Sequence, residues 1–448
     1  MCNVTDLPYP FQREAIDELT LNSKYLAFDM GLGKTRVALE TAQARNAKRI
    51  VVVCPATVRL VWQTEGAKWW PNFPVYILKG AKDAHLLNRP HGIFVLSYGL
   101  MQTKESAIIR AIQHGPEFDM AVFDEAHALK NPGAIRTRTL LIKLFKKFKY
   151  VLPMSGTPMP NHAGELYPML RVMWPETIKD FTGDVMDKDT FTRIFCETDR
   201  RYIGNGRTVD IVTGSKNLDE LRARTKGIFI RRRRNEVLKQ LPPVRVDLIP
   251  VDGGEFDTGG INFDEMSNEE LMNALSNSPD GHIATIRRQL GLAKLDSVSA
   301  YLAQVLDEDL PRDEKVVVFA HHKGVIDHLR HYLAAFNPAV IVGATPQKDR
   351  EIQVGKFLND NSCRVFIGNI LAAGTGLTLF GPNAKCRHVY FAETSFSPGE
   401  NAQAIARIHR IGQTGPVDAG IFYVPGSFDE RVQDILARKT ADITQMGL

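Results

Sequence analysis

Residues 28–35 read FDMGLGKT, and the meaning of that octapeptide governs how the rest of the chain is interpreted. An apolar run, Tyr25 to Phe28, precedes it and predicts a strand. Lys34 to Asn46 has the composition of a helix. A glycine turn between strand and helix is a phosphate cradle. Gly31 and Gly33 let the backbone approach an anion, and the helix N-terminus contributes a positive dipole end. Lys34 can reach the β and γ oxygens of a nucleoside triphosphate, and the Thr35 hydroxyl can ligate Mg2+. The usual phosphate-loop pattern has a glycine five places before Gly33, where this chain has Phe28. The expected ligands are therefore ATP and Mg2+, although a bare turn of this kind could also bind nothing.

Upstream, Phe11 to Asn22 predicts a helix with Gln12 at its start. A glutamine amide can pair with both the N6 donor and the N7 acceptor of adenine. Downstream, Arg49–Pro55 and Ile93–Tyr98 predict strands, Val58–Trp70 a helix, and a further helix lies near Ser106–His114. The strands are short, continuous and rich in Val and Ile, as a parallel sheet covered on both faces requires. Residues 120–127, MAVFDEAH, then place two carboxylates at the end of another strand. Ligands gather at the carboxyl ends of parallel strands. Asp124 can thus hold Mg2+ beside the phosphate loop, and Glu125 can position or deprotonate the attacking water. Lys149 to Met154 predicts one more strand, ending in SGTP at 155–158.

Beyond Asn161 the pattern becomes helical and irregular. Residues 199–215 suggest a basic hairpin around Asn205-Gly206, whose Arg200, Arg201, Tyr202 and Arg207 would suit phosphates and an exposed base if the partner is branched DNA. A structural hairpin is the competing reading. Arg231 to Arg234 is a run of four arginines, open to a nucleic-acid role or to a salt-bridged face. Residues 252–260 look like a linker. A second α/β unit follows, with strands at Lys315–Ala320, Ala339–Val342, Arg364–Gly368, His388–Ala392 and Gly420–Val424. It has no second phosphate loop. It does carry Arg407 and Arg410, three apart and so on one helix face, the arrangement of an arginine finger acting on γ-phosphate charge.

At 448 residues, length alone suggests about two to four domains. Hydrophobic residues at 44% and charged residues at 24% are those of a globular chain with a sizeable core. A net charge of +5 is compatible with a polyanionic partner without requiring one. The five cysteines form no C-x-x-C pair, so free thiols are expected rather than a disulfide framework or a zinc knuckle. The N-terminus lacks a signal-like pattern and no stretch approaches membrane-spanning length, which predicts a cytoplasmic protein with no membrane partner.

In their order, these segments resemble the Swi/Snf-type ATPases of helicase superfamily two, and among them most of all the HARP-type annealing helicases. The resemblance rests on FQR at 11–13, DMGLGKT at 29–35, CPATVRLVW at 54–62, LSYGLM at 96–101, DEAHALKN at 124–131 and SGTPMPN at 155–161. In the second half it rests on VFAHHKGVIDHL at 318–329, AAGTGLTL at 372–379 and QAIARIHRIGQ at 403–413. It implies two RecA-like parallel-sheet lobes with a mainly helical insert between them: lobe 1 over 1–163, insert and linker over 164–311, lobe 2 over 312–448. It implies ATP hydrolysis coupled to movement on double-stranded or branched DNA, bound without sequence preference. Thr57, Arg59, Ser97 and Tyr98 in the first lobe, and His322, Lys323, Thr345 and Thr375 in the second, would lie near the DNA backbone, and Gly376 near the nucleotide. Two departures stand out. Asn369-Ile370-Leu371 replaces a frequent Ser-Thr-Arg, and Ala406 replaces the acidic or Gly residue that often precedes the first arginine. A monomer is expected. The compact chain, with no chromatin-reading or nuclease module in view, leads to the expectation of a nucleoid-associated protein of bacterial or viral origin.

Overall fold

In the computed structural model, the described residues are 7–102, 106–202, 208–237, 242–254, 282–373, 377–381, 384–410 and 412–446. They form two compact units, each built on a parallel sheet. The first sheet has seven strands: β1 (Tyr25–Phe28), β2 (Arg49–Cys54), β3 (Val75–Ile77), β4 (Gly92–Ser97), β5 (Met120–Asp124), β6 (Val151–Met154) and β9 (Phe229–Arg232). Their order is β3-β4-β2-β5-β6-β1-β9, parallel throughout. In β1, β2, β4, β5 and β6 every residue is buried, because helices cover both faces and leave no wet side for polar alternation. Three helices matter for the site: α1 (Pro10–Leu21), α2 (Lys34–Ala44) and α3 (Arg59–Trp69).

The second sheet runs β10-β15-β14-β11-β13-β12, again parallel. Its strands are β10 (Val244–Pro250), β11 (Glu314–Ala320), β12 (Ala339–Ile341), β13 (Val365–Asn369), β14 (Lys385–Phe391) and β15 (Val417–Tyr423). Successive residues of β11 feed opposite cores: Val316, Val318 and Ala320 pack on one face, Val317 and Phe319 on the other. Strands β7 (Cys196–Tyr202) and β8 (Thr208–Ser215) form a separate hairpin.

Three strands escape a pattern-based reading. β3 is a three-residue edge, β9 contains the arginine run, and β10 is an edge strand whose Val246 and Leu248 are exposed. Two of them, β9 and β10, lie within residues 164–311. Each borrows its stability from a strand distant in sequence: β9 pairs with β1 and completes the first sheet, while β10 pairs with β15 and edges the second.

Candidate active site

Sheet order brings the first unit's chemistry together. β5, β6 and β1 are neighbours, so their carboxyl ends set Asp124 and Glu125, then Ser155, then the 29–33 turn side by side. Gly31 and Gly33 have φ of +79° and +78°, the left-handed region that glycine enters without steric cost. A side chain at Gly33 would also strike the Gln12 amide, 2.4 Å from an added Cβ. The Lys34 ammonium is buried and donates to the Phe28 carbonyl at 3.0 Å. Burial pushes its pKa down, against the pull of Glu125, Asp124 and Asp29. Thr35 is half-buried at the start of α2.

The two carboxylates have opposite surroundings. Asp124 is 5% exposed and accepts a hydrogen bond from the Trp62 indole Nε1 at 2.9 Å. Burial, followed by the charge of Glu125, pushes Asp124 up to about 7, with the Trp62 N–H and Lys34 opposing. Glu125 is non-glycine at φ +52°, a backbone position that a turn must enforce. Its Oε2 accepts from the Ser155 hydroxyl at 3.0 Å and lies 3.4 Å from His127 Nδ1, which is itself 2.9 Å from Ser155 Oγ. Burial raises Glu125, but the hydrogen bond and charge of His127, with Lys34 and Ser155, outweigh it and hold the carboxyl at about 2. The site therefore sets a carboxylate kept ionised beside one lifted by burial and by its neighbour's charge. The hard oxygens of Asp124 and Thr35 suit Mg2+, which takes few protein ligands. Among the described residues no cluster of three or more His, Cys, Asp or Glu side chains is placed as a metal cage.

Other expected residues are placed differently. Both ends of the Gln12 amide are occupied: Oε1 accepts from Tyr9 N at 3.0 Å and Nε2 donates to the Leu32 carbonyl at 2.9 Å, so the adenine-reading groups are already engaged. Tyr98 is not a surface contact. It is 5% exposed, its hydroxyl has no hydrogen-bond partner among the described residues, and the charges of Asp124 and Glu125 bear on it. Ser97 is buried beside it. Thr57 and Arg59 are half-buried at the entry to α3, with the Arg59 guanidinium on the carbonyls of Ala56 and Leu78. In the arginine run, Arg231 and Arg232 take the salt-bridged alternative. Arg231 pairs with Asp29 at 2.8 Å and donates to the carbonyls of Ala27 and Gly156; Arg232 pairs with Glu14; Arg234 donates from its backbone to Asp29 and from its guanidinium to Met30. This braces the phosphate loop.

In the second unit the same sheet logic recurs at β14, β11 and β13. Glu393, just past β14, is buried and accepts from the backbone N–H groups of His321 and His322, both at 2.8 Å. Its other oxygen lies 2.6 Å from His322 Nδ1. Burial raises this carboxyl, but the His322 side chain and these backbone donors prevail and hold it at about 2. Asn369 donates to the His321 carbonyl at 2.6 Å and caps the turn at Leu371 and Ala372, so it is a structural clasp in the place of the frequent serine. Lys323 is exposed, and the Thr345 hydroxyl closes its own turn by accepting from Val342 N. Arg407 does not project as a finger here. It is 2% exposed, donating to the carbonyls of Gln403 and Leu377, and Arg410 also reaches the Leu377 carbonyl. Arg200 is exposed and pairs with Asp210 across the hairpin. Thr375, Gly376 and Arg207 lie outside the described residues, as do the side chains of Arg201 and Tyr202.

Sequence reasoning passed over Trp62, Ser155, His127 and Glu393 as site residues. Glu393 was findable, since it follows a buried parallel strand just as Asp124 ends one. The Trp62 contact spans 62 residues and no spacing rule exposes it.

A phosphate loop and a carboxylate pair on one parallel sheet, with a second parallel sheet in the same chain, have the layout of the helicase-type ATPases. Residues 18–257 match the model of the SNF2-related domain and residues 297–412 that of the helicase conserved C-terminal domain. The chain belongs to the SNF2-related family. It is 30% identical to the DNA annealing helicase and endonuclease ZRANB3 of Bos taurus, over 96% of this chain and 40% of that protein. It is also 30% identical to the SWI/SNF-related matrix-associated actin-dependent regulator of chromatin subfamily A-like protein 1 of Xenopus tropicalis, over 98% of this chain and 45% of that protein. A solved Sulfolobus solfataricus SWI2/SNF2 ATPase core in complex with dsDNA aligns with a TM-score of 0.44 and 20% identity, covering 99% of this chain and 95% of that one. The chain thus spans less than half the length of these curated relatives. Their animal sources overturn the expected bacterial or viral origin and the nucleoid-associated cytoplasmic placement drawn from it. That expectation rested on compactness, which carries no information in a chain spanning only part of its relatives. Among the described residues no helix is long and apolar enough to cross a membrane.

Proposed function

We infer that this chain is a DNA-dependent ATPase that moves on double-stranded or branched DNA and remodels it by annealing, fork regression or displacement of bound protein. The observation that carries the reading is the row of the phosphate loop, Ser155 and the Asp124–Glu125 pair on adjacent strand ends, with Glu125 kept ionised beside a buried Lys34. Lys34 and the N–H groups of the turn bind the phosphates. Asp124 and Thr35 would hold Mg2+, which when bound neutralises phosphate charge. Glu125 positions or deprotonates the attacking water, with Ser155 and His127 fixing its direction. Arg410 is assigned to transition-state charge, with the enclosed Arg407 as its support, since both guanidinium groups reach the Leu377 carbonyl.

The DNA reading draws on family membership and on the annealing named in the ZRANB3 relative. Contacts at Thr57, Arg59, His322, Lys323 and Thr345 would go to phosphates, making binding non-specific and salt-sensitive. Both units lie in one chain, so a monomer suffices. The test is the ATPase rate against duplex, single-stranded and forked DNA, followed by strand-displacement and reannealing assays on the best activator. Stimulation by duplex or fork with reannealing supports the reading. Displacement of a strand in place of reannealing would make it a strand-separating helicase, and DNA binding without turnover a scaffold.

A further inference from the structure

Among the described residues, the carboxylate assigned to the cation accepts a hydrogen bond from a side chain of another element. Trp62 is 1% exposed on α3, and its indole N–H meets Asp124 Oδ2 at 2.9 Å. An indole is a fixed, planar donor with one N–H, and it remains neutral at any pH the protein meets. Buried between α3 and the sheet, it has no freedom to follow the carboxylate. The carboxylate must instead align to it. Oδ2 of Asp124 is thereby held in a fixed direction. Asp124 also accepts from the Glu125 backbone N–H, which leaves the indole as its donor from a side chain distant in sequence.

We propose that Trp62 is a positioning residue for the reaction, orienting the Asp124 carboxylate toward the Mg2+ that accompanies the nucleotide. This rests on the ATPase part of the proposed function and is independent of the DNA part. An indole that merely satisfied its own buried N–H would be replaceable without effect on cation binding. Partners that orient a metal-binding carboxylate typically alter metal affinity or activity by about 10- to 100-fold when removed.

The experiment titrates Mg2+ against fluorescent N-methylanthraniloyl-ADP bound to the full chain, without DNA. Trp62→Phe keeps an aromatic ring in the slot and removes the donor. In a variant that melts like the parent, the half-saturating Mg2+ concentration should rise about tenfold or more, while metal-free nucleotide affinity stays within about twofold. An unchanged Mg2+ dependence overturns the proposal, as does an equal loss of metal-free affinity. A second measurement covers a Trp62→Phe that fails to fold. The chain has four tryptophans, so 15N-indole labelling gives a countable set of N–H resonances. One of them should move in Asp124→Asn, and in the parent the same one should move on adding Mg2+ with ADP. If the resonance that reports Asp124→Asn ignores Mg2+, or if none reports it, the proposal falls. A chain that binds Mg2+–nucleotide through Trp62 yet shows no DNA stimulation would leave this inference standing and refute only the DNA reading.

Discussion

At the scale of single residues, the active site separates two carboxylates by their neighbours. Glu125 is held by Ser155, His127 and a left-handed turn, while Asp124 sits against an indole in a buried strand end. Lys34→Ala or Glu125→Gln should abolish ATP turnover while leaving DNA affinity within a few-fold, measured by paired ATPase and binding assays. The reason is that neither side chain is among those assigned to the DNA backbone. A well-folded Lys34→Ala protein with parental turnover would refute the site. The two arginines should behave differently from each other. Arg410→Ala should lower kcat by on the order of 10³-fold with ATP affinity nearly unchanged, as expected of a group acting on transition-state charge. Arg407→Ala should also lower the melting temperature, because its buried guanidinium holds the Gln403 and Leu377 carbonyls and its loss leaves them without that donor. Single-turnover kinetics with calorimetry on both variants separates the effects.

At the scale of elements, strands are tied to loops by side chains distant in sequence. Arg231 on β9 joins Asp29, the end of β1 and the Gly156 turn. Arg231→Ala should weaken ATP binding and cost about 1–3 kcal/mol of first-unit stability, because several acceptors lose their partner at once. Nucleotide titration and thermal melting check both, and parental ATP affinity would show that the brace is idle. In the second unit Glu393 ties β14 to the turn after β11. Its folded pKa of about 2 lies below the ordinary 4.5. A depressed carboxylate contributes stability that is fully present above the unfolded value and is lost as pH falls toward the folded one. The contribution is roughly 3 kcal/mol at neutral pH, and less than half of it remains by about pH 3. The stability gap between the parent and Glu393→Gln should narrow across that acid window in denaturant titrations of the second unit. A gap independent of pH would place the role of Glu393 in packing alone.

At the scale of the whole molecule, the chain joins two parallel-sheet units to a separate hairpin. The pair between Arg200 and Asp210 is exposed at both ends and contributes little to stability, so the arginine is available to a polyanion. Changing Arg200, Arg201 and Arg207 together to Ala should reduce stimulation by forked DNA more than stimulation by plain duplex, with an unchanged melting profile. ATPase assays on the two substrates decide it, and equal losses would return the hairpin to a structural role.

The chain's order of apolar runs, glycine turns and carboxylates determined by itself the two parallel-sheet units, the phosphate loop and the placing of Asp124 and Glu125 at a strand end. Those features are local, since backbone conformation and burial on both faces are written in neighbouring residues. The salt-bridged use of Arg231 and Arg232, the enclosure of Tyr98 and Arg407, the engaged amide of Gln12 and the contacts of Trp62 and Glu393 were decided only in three dimensions. A long polar side chain can reach solvent, a phosphate or a buried carbonyl with equal ease. Which it meets depends on strands that are neighbours in the sheet and far apart in the chain, as β9 is to β1 and β14 to β11.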